Sequence, residues 1–248
     1  MRLFAHQLRS EQLVFWRSRE AAIFIFVFPL LLFLLLGAVY SGDYEGRPVT
    51  DHLVTGLLTY GAANTTFAGL AITLVIRRES GLLKRIRSTP LPPAVYLAAA
   101  LGSVLLVFAL QSLALVALGR GLYGAALPER PLALVAALAA GALAFAAMGI
   151  GISSLIHSSE GASAVVNVVV LPMAFLSGAF GPTRSLPDAL QAVADVLPLR
   201  HLVEVVQAVY LRGEGLTAEA GSLAVLGAWG IAGLVLALRR FRWEPRER

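Results

Sequence analysis

Four histidines, one lysine and no cysteine bound the chemistry open to this chain. Without cysteine there is no disulfide, no thiol nucleophile and no cysteine-ligated metal. His6, His52, His157 and His201 are scattered along the sequence at the edges of apolar stretches. A lone imidazole at such a place is an interfacial side chain before it is a ligand. Ser177-Gly178 invites a nucleophile reading, yet no apolar stretch contains a histidine to serve as its base. A phosphate-cradling GxxxxGK[ST] loop is absent, since Lys84 follows Leu83 rather than glycine. The polar groups inside apolar stretches are all neutral: Asn64, Thr65, Thr66, Gln111 and Asn167. Amides and hydroxyls at that depth bond helices together, and a proton relay would need an ionisable group. The chain therefore reads as a non-enzyme, with no cofactor of its own.

The elements that carry these residues are long and apolar. Hydrophobic residues make up 58% of the 248 positions and charged residues only 14%. Soluble domains run at about 45–50% apolar and about 25% charged. Six stretches hold no Asp, Glu, Lys, Arg or His: 21–40, 53–76, 94–118, 132–155, 162–180 and 221–238. Each approaches the roughly 20 residues a helix needs to cross a hydrocarbon core. In lipid the backbone must satisfy its own hydrogen bonds, so these are helices, and barrel strands would be shorter and alternating. The expected fold is an all-α integral membrane protein of six spans. Ala21–Tyr40 is too long for the apolar region of a cleavable signal peptide.

Basic residues orient the chain. Fourteen of the twenty Lys and Arg fall on the side that carries both termini: Arg2, Arg9, Arg17, Arg19, the group Arg77, Arg78, Lys84, Arg85 and Arg87, and five from Arg239 onward. The other side has Arg47, Arg120, Arg130, Arg184, Arg200 and Arg212. The positive-inside rule puts both ends in the cytoplasm. The net charge of +5 then belongs to topology and anionic headgroups rather than to nucleic acid.

Three connecting segments have a pattern of their own. Residues 2–19 predict an interfacial amphipathic helix with Phe4, Leu8 and Phe15 on one face, and Glu11 intrudes on that face. In 77–93, RRESGLLKRIRSTPLPP, a short helix would put Leu82, Leu83 and Ile86 together on a face without a span to cover it. Thr89-Pro90 ends it. Segment 182–212 predicts two short amphipathic helices against the outer leaflet, one carrying Leu186, Leu190, Val193 and Leu197. The other carries Leu199, Leu202, Val203, Val206 and Tyr210, with Arg200, Glu204 and Gln207 opposite. A seventh span there would bring Asp195, Arg200 and Glu204 into hydrocarbon. Small residues from Ala136 to Gly151, and Gly227, Gly230 and Gly233, predict close helix packing.

This layout resembles the permeases of the ABC-2 type transporter family. Glu79, Gly81, Leu82, Arg85, Thr89 and Pro90 match that family's first cytoplasmic loop. Leu176-Ser177-Gly178, Pro182, Leu186-Pro187 and Leu197-Pro198 match its pattern after the fifth span. The second cytoplasmic loop, His157–Gly161, is shorter than the resemblance leads one to expect. The resemblance implies a permease in the bacterial inner membrane, paired with a second copy as homodimer or heterodimer, and served by separate subunits that hold ATP and Mg. It implies coupling to that ATPase through Arg78, Glu79, Gly81, Leu82, Leu83, Arg85 and Ile86. It places the cargo path between copies, with Phe24, Phe28, Asn64, Thr65 and Asn167 as lining. The cargo would be an exported amphipathic small molecule, drug- or antibiotic-like, or a lipid-linked substrate. An intramembrane lipid-modifying enzyme and a non-transporting assembly protein are the alternatives. The first needs polar catalytic groups at depth, where the spans offer only amides and hydroxyls.

Overall fold

The computed structural model of the protein describes residues 2–40, 42–181, 183 and 186–245. Pro182 of the second motif, and Arg184, Arg246 and Arg248 of the charge count, lie outside the described residues. Among the described residues, regular structure is helical apart from one hairpin. Helix α1 is Arg2–Arg17, and a continuous helical run over 19–39, α2, follows. Strands β1 (Asp43–Tyr44) and β2 (Arg47–Pro48) pair antiparallel across Glu45-Gly46, both at positive φ. That is the two-residue turn whose twist suits a hairpin. Then come α3 (Val49–Glu79), α4 (Leu82–Arg87), α5 (Pro93–Tyr123), α6 (Pro131–Ser153) and α7 (Ser159–Leu176). Helices α8 (Asp188–Ala194), α9 (Pro198–Leu211) and α10 (Leu216–Arg240) follow.

Five helices, α3, α5, α6, α7 and α10, are long and apolar enough to cross a membrane. The apolar part of α2, Ile23–Val39, is shorter. Helix boundaries follow from simple signals. Proline opens α5 and α6 at Pro93 and Pro131, where a missing N–H is harmless. Gly124, at φ 66°, ends α5 in the left-handed conformation that glycine adopts without strain. Ser158 caps α7, its Oγ accepting from the Gly161 N–H at 3.1 Å.

Helix α3 is the axis. Every residue from Leu53 to Ala71 is buried, and α5, α6, α7 and α9 surround it. The small residues have the packing role expected of them: a Cβ on Gly233 of α10 would lie 2.5 Å from Met148 Cα, and one on Gly151 2.6 Å from the Gly233 carbonyl oxygen. Helices α6 and α10 thus meet backbone to backbone. Gly227 faces open space and takes no part.

Two expectations change. Helix α9 does not lie on the outside of the bundle. Leu199, Leu202, Val203, Val205, Val206, Val209 and Tyr210 are all buried, with α9 wedged among α3, α6 and α10. Its apolar residues span too wide an arc for one leaflet-facing stripe, so the helix inserts into protein. Arg200, Glu204 and Gln207 form a polar stripe on a cavity of about 130 Å³ shared with Glu45 and His52. By contrast α8 stays at the surface, with Leu190 and Val193 exposed. The second change concerns the segment after span two: Arg77, Arg78 and Glu79 form the last turn of α3, and the connection begins at Ser80.

Candidate functional site: the end of the central helix and the seam behind it

Two adjacent arginines end α3 and point in different directions. Arg77 makes a two-pronged pair with Glu11 of α1, Nη1 to Oε1 at 2.9 Å and Nη2 to Oε2 at 2.7 Å, and donates to the Tyr96 hydroxyl at 2.7 Å. Gln7 donates to the same carboxylate at 2.9 Å. The glutamate that spoils the apolar face of α1 is therefore the buried anchor that docks α1. Gln12 adds bonds to the Ser103 carbonyl and hydroxyl of α5, and Phe4 and Leu8 lie over Gly102. Arg78 is 1% exposed. Its Nη1 donates to the Ser153 carbonyl at 2.9 Å, its Nη2 to the Ile156 carbonyl at 2.6 Å and its Nε to Glu79 at 2.8 Å.

Beyond them the chain turns sharply. Gly81 has φ 72°, and its N–H donates to the Arg78 carbonyl at 2.9 Å. A Cβ there would meet nothing, so backbone conformation alone is what favours glycine. Helix α4 follows. Leu83 is fully buried in a cluster with Leu70, Leu74, Tyr96 and Ala100, and Ile86 packs against it. The apolar face of α4 is thus covered by the chain's own spans, which corrects the expectation that it lacks a cover. Leu82 stays exposed beside Lys84, Arg85 and Arg87. Of the predicted coupling residues, Arg78 and Leu83 are interior, Glu79, Gly81 and Ile86 are half-buried, and Leu82 and Arg85 face outward.

Behind this end runs a polar seam between α2, α3 and α5. Pro29 offers no N–H to the carbonyls a turn earlier in α2, and the helix widens to a π turn over Ile23–Val27. Side chains of neighbouring helices supply the missing donors. Gln111 Nε2 reaches the Ile25 carbonyl at 2.6 Å and the Phe26 carbonyl at 3.2 Å, and Asn64 Nδ2 reaches the Phe24 carbonyl at 3.3 Å. Thr65 donates to Gln111 Oε1 at 3.3 Å. Asn64 and Thr65 lie in a second π turn, Ala63–Gly69. Asn64, Thr65 and Gln111 thus do bond helices together, whereas Thr66 donates to the Ala62 carbonyl of its own helix. The predicted path residues separate: Asn64 and Thr65 are buried within the chain, Phe28 is half-buried, and Phe24 and Asn167 are exposed on the outward faces of α2 and α7. Sequence reading missed Arg77 and Tyr96 as partners. The misplaced charge of Glu11 was the signal that a buried cation had to meet it.

Comparison with known proteins agrees with this architecture. The sequence profile described as "ABC-2 type transporter" matches residues 2–211. The chain is 28% identical over 183 residues to the "Inner membrane transport permease YhhJ" of Escherichia coli, covering 72% of this chain and 49% of that protein. It is 25% identical over 195 residues to the "Putative transport permease YvfS" of Bacillus subtilis, covering 78% and 76%. It is 27% identical over 199 residues to "Nodulation protein J" of Rhizobium leguminosarum bv. trifolii, covering 77% and 71%. The chain thus spans about half the length of the Escherichia coli protein it matches.

Proposed function

The chain belongs to the ABC-2 type transporter family, a family of membrane transport permeases, and from that premise we propose that it is the membrane subunit of an exporter driven by ATP hydrolysed on a separate subunit. The observation that carries the reading is α4: a basic helix tied inward by Leu83 while Leu82, Lys84 and Arg85 face outward. Such a surface suits a partner with an acidic, apolar-floored groove. Exposed ion pairs alone contribute only about 0–1 kcal/mol, so a force-bearing contact also needs an apolar anchor, and Leu82 supplies it.

In this reading α2 is a sixth span. Its uncharged part, 21–39, would be about 28 Å long at 1.5 Å per residue, close to the roughly 30 Å of a hydrocarbon core. Both termini lie in the cytoplasm, and the membrane is the inner one, as the Escherichia coli relative's name supports. Two copies, alike or different, meet along α2 and α7. An amphipathic cargo, drug-like or lipid-linked, passes between them over Phe24 and Asn167. ATP and Mg stay on the partner.

The test is Leu82→Asp in the full chain. Membrane insertion and thermal stability should match the parent, because the side chain is exposed, while co-purification of the ATPase and ATP-dependent export are lost. Retention of both in a normally inserted variant removes α4 from the partner contact.

A further inference from the structure

We infer that Arg78 is a positioning residue that carries movement of α4 to the entry of α7, so that the first and second cytoplasmic connections move as one body. The inference rests on the reading of α4 as the element that receives force.

The geometry joins two things in one residue. The main chain of Arg78 launches α4: its carbonyl accepts the Gly81 N–H at 2.9 Å, and the Gly81 carbonyl accepts the Arg85 N–H at 3.1 Å. With Leu83 sunk in the core, α4 cannot swing without taking this turn along. The side chain of Arg78 meanwhile holds the corner between α6 and α7. Ser153 is the last residue of α6, and Ile156 lies in the connection that enters α7 at Ser159. The two guanidinium nitrogens grip a carbonyl on each side of that corner. Carbonyls at a helix end have no partner within the helix, and a cation there is favoured by the helix dipole. A flat, forked donor can hold two acceptors at fixed spacing, which an ammonium cannot. Glu79 at 2.8 Å fixes the third edge of the fork, so the guanidinium has little freedom to turn. A helix cap alone would need one or two of these bonds from a residue on α6 or α7. Here the cap comes from the residue that starts α4. The brevity of 157–161 fits this: a connection held by Arg78 need not reach the partner itself.

The chain has no cysteine, so spin labels can be placed at will. Ser88→Cys with Arg239→Cys reports α4 from the residue that ends it, and Ser159→Cys with Arg239→Cys reports the entry of α7; all three positions are exposed. Distances are measured in the complex with its ATPase, nucleotide-free and trapped with ATP and vanadate. In the parent both pairs shift. In Arg78→Gln the ATPase is retained and the α4 pair still shifts, while the α7 pair no longer does. A full α7 shift in Arg78→Gln overturns the inference and leaves the reading of α4 standing. An α4 pair that stays still in the parent overturns both. If Arg78→Gln does not insert, Arg78→Lys takes its place: its α7 shift should be smaller than the parent's at equal α4 shift, and an unchanged shift overturns the inference.

Discussion

At the scale of single residues, the charges that mattered are those that look wrong in their surroundings. Glu11 on an apolar face and Arg78 within the bundle are both buried, and each has a partner of opposite charge. Removing one member of a buried pair leaves the other uncompensated, which costs about 3–5 kcal/mol. Replacing both with apolar groups of similar size is often neutral. Glu11→Leu should therefore lower the stability of the purified protein by an amount in that range, and Glu11→Leu with Arg77→Met should recover most of it. Thermal unfolding of the single and double variants in detergent is the check. Equal losses in both would mean that Glu11 packs rather than pairs. The sequence made Glu11 visible as an anomaly but could not name Arg77, because 66 residues separate them. For Arg78 the positive-inside pattern pointed the other way: a basic residue beside a loop reads as exposed, and only the placement of the Ser153 and Ile156 carbonyls turns it inward.

At the scale of elements, the apolar stretches were legible because hydrocarbon imposes length and composition together. What hydropathy does not record is which other protein surface meets a helix. Leu83 and Leu82 are neighbours of one type, one fully buried and one exposed, and that difference arises from Leu74, Tyr96 and Ala100 on other helices. The burial of α9 escaped for the same reason. The π turn in α2 was half legible, since Pro29 announces freed carbonyls but not their new donors. Gln111 is the larger of these, with two carbonyls on its amide. Gln111→Leu should cost about 1–3 kcal/mol through the desolvated carbonyl it strands. Pro29→Ala restores a backbone N–H one turn after Ile25. The double variant Pro29→Ala with Gln111→Leu should then be more stable than Gln111→Leu alone, by unfolding in detergent. If the proline replacement gives no relief, the amide of Gln111 is not standing in for the missing backbone donor.

At the scale of the whole molecule, the exposed polar group at Asn167 asks for a partner outside the chain. It lies midway along α7, flanked on the same surface by Val168 and Phe175, which are 73% and 64% exposed. An amide facing lipid tails has no hydrogen-bond partner, and such groups cost several kcal/mol in hydrocarbon. Facing a second copy, or the wet path between copies, the same amide is satisfied. Helices α6 and α10 meet through Gly151 and Gly233 and α3 is enclosed, while α2, α5, α7 and α10 all keep exposed apolar faces; among these, α7 carries the exposed amide. The reading predicts that Asn167→Cys, alone in a chain without cysteine, forms an oxidant-induced dimer in native membranes. Leu132→Cys is the control: it is also exposed, at 86%, but sits at the start of α6 rather than on α2 or α7. It should remain a monomer under the same oxidant. A dimer through Leu132→Cys and none through Asn167→Cys would move the contact between copies to α6. The cargo path would then have to be sought on that side, and Asn167 would need a satisfied state other than a second copy.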